Sequence, residues 1–139
     1  MRRVARGFLI VVSVVDGLSA VICGVLLIAG PDGHLLQAGA LLPVIQTLPL
    51  ANVFFHNFIW IGAAMLLALG LPNLIAALML LRRSEKQYAA SLVAAILLVC
   101  WCGFEMVFMF NVPAVGYLVV GVLSALCSIF LLRPAPTNV

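Results

Sequence analysis

The sequence predicts an all-α fold, an integral membrane four-helix bundle, on three observations. Hydrophobic residues make up 66% of the 139 residues and charged residues only 8%. The mean hydropathy of +1.32 places the chain far outside the soluble globular class, so lipid must cover much of its apolar surface. Four apolar runs of about 20 residues are separated by short connections. We therefore expect a single transmembrane domain over residues 1–139, with spans at about 7–30, 56–81, 88–110 and 114–132.

The first span follows a basic start, MRRVAR, and runs to Gly30. We expect it to be retained rather than cleaved as a signal peptide, because it is long enough to cross a bilayer and Asp16 interrupts it. Small and polar residues recur along it at spacings of three and four: Ser13, Asp16, Gly17, Ala20, Cys23 and Gly24. This stripe predicts the face of the helix that packs in the bundle, with Asp16 near mid-depth.

The connection between spans one and two begins with the turn signal Pro31-Asp32-Gly33. Residues 35–50 are apolar, but Pro43 and Pro49 break the run, and it is too short to cross a membrane. We interpret it as a partly helical segment that lies in the membrane interface, or as a re-entrant cap over the bundle.

Spans two to four carry stripes of the same kind. In span two, Pro72 predicts a kink around 70–73, where Asn73 either bonds to a freed carbonyl, the favoured interpretation, or bonds to another helix. The stripe residues are Ala63, Leu66, Gly70, Asn73 and Ala77 in span two, Ser91, Ala94, Ala95, Leu98, Cys102 and Glu105 in span three, and Tyr117, Gly121, Ser124 and Ser128 in span four.

The basic residues predict the orientation. Three of the seven precede span one, Arg82, Arg83 and Lys86 lie between spans two and three, and Arg133 follows span four. The other two connections have none. By the positive-inside rule both termini are cytoplasmic, in a multi-pass protein of the cell (inner) membrane. The basic residues are too few and too scattered to predict nucleic-acid binding.

Glu105 is the residue that most invites a functional hypothesis, because it lies in the apolar, aromatic run 101–111. A carboxylate in hydrocarbon is costly and is expected to face a protein interior or a wet cavity. The helical rise places Glu105 about 10 Å outward of the midplane and about 13 Å from Asp16 in depth. We therefore expect the two acids not to share a proton.

An outward-facing pocket is predicted around Glu105. Its candidate ligand-binding residues are Glu105, Trp101, His56, Asn57, Trp60, Asn111 and Tyr117. Polar groups in an apolar wall are the usual form of a small-molecule site. Structural alternatives stand beside this hypothesis. Glu105 could be a hydrogen-bonded structural group, and Asp16 is favoured as bonding to Ser13 or a neighbouring helix. Asp16 and Asn73 are classed as intramembrane polar residues, and His56 is favoured as interfacial.

No motif predicts a metal, a cofactor or a covalent catalyst. His34, near Asp32, is favoured as an exposed loop residue over a metal ligand. The four cysteines all lie in apolar runs, where thiols are ordinarily small apolar side chains. Their spacing therefore argues against a disulfide framework.

Short segments of spans two and three resemble a group of small four-span bacterial membrane proteins without assigned activity. The matching residues are Asn57-Phe58 with Gly62, 69–71, 73–77, Arg82-Arg83, 88–92, Trp101 and Glu105. The layout also resembles, more distantly, the four-span DoxX-like proteins, although the acid-and-glycine pattern of their second span is missing. The resemblance implies a four-span fold and transfers no catalytic residue.

The leading functional hypothesis is a membrane protein whose pocket near Glu105 binds or carries a small or lipophilic ligand. One alternative is an accessory or assembly subunit that binds a partner membrane protein or a second copy through Asp16 and the small-residue stripes. The other is a membrane-embedded enzyme acting on a lipid or isoprenoid, with Glu105 and His56 as acid and base. A proton-coupled exporter is a weaker fourth. Membrane lipids are expected partners in every case.

Overall fold

The computed structural model describes residues 1–47, 51, 56–108 and 112–133. Their regular structure is entirely helical, and four helices are long and apolar enough to cross a membrane, which confirms that part of the prediction. The helices are α1 (Arg2–Ala29), the short α2 (Leu42–Ile45), α3 (Ile59–Met65), α4 (Leu71–Leu81), α5 (Gln87–Phe108) and α6 (Val112–Leu132). Helices α3 and α4 form one continuous span, Ile59–Leu81.

Most residues of the small-residue stripes face the interior of the bundle, as predicted, whereas Tyr117 of the fourth stripe is 44% exposed. On α1 the buried residues are Leu9, Ser13, Asp16, Gly17, Ala20, Gly24 and Leu27. The opposite face exposes large apolar side chains, including Val11, Val15 and Ile22, to the surroundings that lipid would fill. The stripe residues Asn73, Ser91 and Ser128 are likewise buried on the other three spans.

Helices α1 and α3 cross with their backbones in contact. A Cβ added to Gly24 would lie 2.8 Å from the carbonyl oxygen of Gly62, and a Cβ added to Gly62 would lie 2.6 Å from that of Gly24. Only glycine fits on both sides of such a crossing. Because lipid supplies no hydrophobic drive for helix association, this close approach gains its stability from van der Waals contact.

A π-helical turn, Leu66–Gly70, joins α3 to α4 at the point where the sequence predicts a kink. The amide of Leu71 bonds to the carbonyl of Leu66, five residues back. Pro72 follows immediately and cannot donate an amide hydrogen bond, so the wider turn accommodates its ring. Asn73 Nδ2 donates to the carbonyl of Leu69 at 2.9 Å. The Asn73 side chain thus bonds within its own helix, to the carbonyl four residues before it and not to the one that Pro72 leaves without a donor.

The connection after α1 folds over one end of the bundle. Gly33 has a left-handed backbone (φ 78°), and a Cβ there would meet the ring of Phe58 at 2.7 Å. The Phe58 amide donates to the carbonyl of Pro31, and the Phe58 ring packs with Leu27 and Ile45 in a small core. Residues 34–45 form two short 3₁₀ turns and α2. Whether this segment lies in a membrane interface stays a prediction.

Candidate functional site

A cavity of about 350 Å³ lies between α1, the π-helical turn, α5 and the start of α6. We call it the acidic cavity, because Asp16 and Glu105 both line it. Its walls are otherwise mostly apolar and include Ala20, Met65, Leu69, Leu98, Pro113 and Ala114. Leu41, from the connection after α1, and Tyr117 also line it and are 46% and 44% exposed, so they form its rim.

Asp16 brings an unpartnered carboxylate oxygen into the bundle. The residue is 8% exposed, and its Oδ2 atom is buried without a hydrogen-bond partner among the described residues. Among the described residues, Asp16 makes neither of the structural bonds expected for it, to Ser13 or to a neighbouring helix. A buried polar atom left unsatisfied destabilises the fold by about 1–3 kcal/mol. Because Asp16 also lines the acidic cavity, its carboxyl group is a candidate contact for a ligand.

Glu105 is tied to Trp101 on the same helix. The indole Nε1–H donates to Glu105 Oε1 at 3.0 Å, across the four residues that bring two side chains together on a helix. Among the described residues, the second carboxylate oxygen has no hydrogen-bond partner. Trp101 also packs against the core of Ala20, Leu69 and Leu98 beneath the cavity. Both side chains are therefore held in place at the cavity wall.

Asp16 and Glu105 make no hydrogen bond to each other. Their expected separation in depth did not indicate that they share a cavity. Depth was the wrong criterion for that question, since a cavity extends along the bundle axis. Ser19, Cys23 and Cys102, which the sequence reasoning did not select as site residues, also line the cavity. The sequence pattern that could have indicated Asp16, Cys23 and Cys102 as cavity residues is their position on the stripes that face the interior of the bundle.

Three other predicted site residues lie outside the lining of the acidic cavity. Asn57 Oδ1 accepts from the Ile59 amide at 3.1 Å, at the start of α3. His56 is exposed, and Trp60 is 57% exposed on the outer face of α3. Asn111 is outside the described residues. The cavity thus brings together Glu105, Trp101 and Tyr117 of the predicted set, and adds Asp16.

His34 is an exposed loop residue, as favoured, and its Nδ1 pairs with Asp32 Oδ1. The hydrogen bonds from His34 lower the pKa of the Asp32 carboxyl below its ordinary value. Among the described residues, no group of three or more His, Cys, Asp or Glu side chains is placed to hold a metal ion. The thiols of Cys23, Cys100, Cys102 and Cys127 are free.

No family model, curated protein or solved structure matches the chain. The resemblance to DoxX-like and other four-span proteins therefore stays a prediction.

Proposed function

We propose that the protein binds a small lipophilic ligand in the acidic cavity, and that the polar end of this ligand is a hydrogen-bond donor, in the first place an amine. The observation that carries the proposal is that Asp16, whose carboxyl group has no hydrogen-bond partner among the described residues, lines the same cavity as Glu105. An apolar body would fill the space between Met65, Leu69 and Leu98. The ammonium or amine group would lie at the carboxylates.

The charges of the lining favour a donor over an acceptor. Two carboxyl groups line the cavity, and no Lys, Arg or His side chain of the described residues does. A cation is attracted to such a site more strongly than it would be in water, because the surroundings are apolar. An anion of the same size would be repelled. The indole of Trp101 adds a ring face that attracts cations.

The inward-facing stripes favour this function over that of an assembly subunit. An assembly subunit would present its small-residue faces to a partner, yet Gly17, Gly24 and Ser128 are buried within this chain. A membrane enzyme using Glu105 with His56 has less support, because His56 does not line the acidic cavity.

The orientation belongs to the same proposal. The cavity is lined by Leu41 of the connection after α1 and by Pro113 at the start of α6, at the opposite end of the bundle from the arginines. With both termini cytoplasmic, it opens toward the outer side of the cell membrane. The ligand would then enter from the outer leaflet or from the space beyond it.

Trp101 provides the test. The chain has two tryptophans, so a Trp60→Phe variant leaves Trp101 as the single indole. We would titrate it in lipid nanodiscs with 1-adamantanamine, 1-adamantanol and 1-adamantanecarboxylic acid, which share one compact apolar cage. The expected result is a saturable change of Trp101 emission with the amine, a weaker one with the alcohol and none with the acid.

Two charge-removing variants serve as controls in the same background. Asp16→Asn and Glu105→Gln should each weaken amine binding about tenfold or more, since a hydrogen bond to a charged group contributes about 1.5–3 kcal/mol. Glu105→Gln keeps an oxygen acceptor for the Trp101 indole, so its unliganded emission should change little. Equal responses to all three compounds, or an amine response unaffected by both substitutions, would refute the proposal.

A further inference from the structure

A second concave site lies at the other end of the bundle. It is an open groove of about 670 Å³ lined by four guanidinium groups, those of Arg2, Arg3, Arg6 and Arg83. We call it the arginine groove. Gly7 and Ile10 of α1 and Gln87 and Tyr88 of α5 also line it. No Asp or Glu side chain is among the described residues that do so. Four like charges on one concave surface repel one another unless an anion lies between them.

Two of the four arginines have structural roles. Arg2 donates to the carbonyls of Leu131 and Arg133 at 2.8 Å each, where α6 ends. Arg6 donates to the carbonyl of Leu80, near the end of α4, and to Gln87 Oε1. Cations at these positions satisfy the unpaired carbonyls of helix C-termini. These two side chains are therefore held in place by the helix ends.

The side chains of the other two arginines make no hydrogen bond or ion pair within the described part of the chain. Arg3 and Arg83 are both exposed and line the groove from two different elements. Arg83 has a left-handed backbone (φ 55°), an unfavourable conformation for a side chain with a Cβ. Its amide bonds to the carbonyl of Leu80, and that of Ser84 to the carbonyl of Met79. This is the Schellman ending of a helix, in which the position of Arg83 is usually glycine.

We propose that the arginine groove binds a phosphate group, with an anionic phospholipid headgroup as its first source. Guanidinium groups match phosphate oxygens in pairs, and basic pockets at the ends of spanning helices are suited to anionic headgroups. The Gln87 amide and the Tyr88 hydroxyl add donors. The groove lies where spans one and three meet the headgroup layer, within reach of a lipid in the adjoining leaflet. A zwitterionic headgroup would be disfavoured, because its ammonium group meets the same arginines.

The test compares two double variants with the same loss of charge. Arg82 and Lys86 flank the groove residues in sequence but do not line the groove. Native mass spectrometry of the full-length protein, with phosphatidylglycerol and phosphatidylcholine added in equal amounts, gives the preference for the anionic lipid. A basic residue beside a bound anionic headgroup is worth about a fivefold change in affinity, whereas one that does not line the groove contributes little to the preference for that headgroup. We expect Arg3→Gln/Arg83→Gln to lower the preference roughly 25-fold, and Arg82→Gln/Lys86→Gln to leave it within about twofold of the native value.

Arg83→Gly separates binding from folding. Because glycine is favoured at this helix ending, the variant should unfold at the same temperature or higher, yet lose about fivefold in lipid preference. An unchanged preference in Arg3→Gln/Arg83→Gln, or an equal loss in the Arg82→Gln/Lys86→Gln control, would overturn the proposal.

Glycerol 3-phosphate distinguishes the two sources of phosphate. Its displacement of phosphatidylglycerol from the native protein would assign the groove to free phosphate esters as well. Failure to displace the lipid, with the preference lost in Arg3→Gln/Arg83→Gln, would assign it to the headgroup alone. Binding of neither compound above phosphatidylcholine would overturn the proposal.

Discussion

Helix α1 packs in opposite ways against its two sets of neighbours. Toward α3 and α4 its backbone is in contact at Gly24, and a Cβ on Gly17 would lie 2.9 Å from the side chain of Leu74. Toward α5 its contacts are few, and the space between them is the acidic cavity lined by Asp16 and Ala20. The close approach on one side and the space on the other belong to the same helix. Glycines that draw α1 onto α3 and α4 thus leave room beside α5, and the two acids line this space.

The side of α1 that contacts α3 and α4 should be more sensitive to substitution than the side that faces the acidic cavity. Gly62→Ala forces a Cβ against a backbone carbonyl, which cannot rotate away, so we expect a loss of about 1–3 kcal/mol in the free energy of unfolding. Gly116→Ala is the control, because a Cβ there meets nothing within 4 Å. It should be neutral or slightly stabilising. Reversible unfolding in mixed micelles measures both. An equal effect of the two substitutions would contradict the backbone crossing.

On the side of α1 that faces the acidic cavity, replacing Asp16 should not lower the stability of the fold and should even raise it. Asp16→Leu removes an unpartnered buried oxygen and extends apolar volume into the cavity, so we expect stability to rise by about 1–3 kcal/mol while amine binding is lost. Asp16→Asn keeps a buried polar group and should bring no comparable gain. The same unfolding measurement compares the two. A large loss of stability in Asp16→Leu would mean that the carboxyl bonds within the bundle.

A smaller effect is expected from the bond between Trp101 and Glu105. In the Trp60→Phe background, Glu105→Leu removes the acceptor of the indole N–H, which should cost about 0.5–1.5 kcal/mol and shift Trp101 emission to shorter wavelength. Glu105→Gln offers an amide oxygen in its place and should shift the emission less. Fluorescence and unfolding check the two effects together. Identical spectra for the Leu and Gln variants would argue against the hydrogen bond.

The smallest effect concerns the loop pair of Asp32 and His34, which is largely exposed. His34→Ala should raise the pKa of Asp32 back toward its ordinary value of about 3.8. Because the pKa is lowered in the folded protein, the contribution of the pair to stability is present above the ordinary value. It is lost as the pH falls through the lowered one.

Carboxyl-carbon NMR resolves this titration, since the chain has only two aspartates and Asp16→Asn assigns them. His56→Ala, which replaces the other histidine, is the control. An Asp32 pKa unchanged by His34→Ala would contradict the pairing.

The sequence was sufficient for the features that depend on one helix at a time. Apolar length predicted four helices of spanning length, and the spacing of Ser13, Asp16 and Gly17 predicted which face of α1 is buried. Pro72 predicted an irregularity in span two, because its effect is local to the chain. The form of the irregularity, a π-helical turn, depends on how α3 and α4 pack on α1.

The composition of the site could not be predicted from single helices. Placing Asp16 beside the Trp101–Glu105 pair requires knowing that α1 packs closely on α3 and α4 and loosely on α5. That difference depends on which residue of the neighbouring helix each glycine contacts. Such contacts between helices cannot be predicted from the sequence of one helix alone. Asp16 was separated from Glu105 only because the two residues were expected at different depths in the membrane. His56, Asn57 and Trp60 were selected as site residues only because they were expected at the depth of Glu105. The rotation of each helix about its axis decides which side chains meet.

Photolabelling tests the central claim most directly. A lipophilic amine carrying a diazirine would be activated with the protein in nanodiscs, and the labelled positions read by mass spectrometry. We predict labels on the α1 segment around Asp16 and on the α5 segment around Trp101 and Glu105, suppressed by excess 1-adamantanamine. Labels confined to lipid-facing positions such as Val11 and Leu67, or unaffected by the competitor, would contradict a ligand site in the acidic cavity.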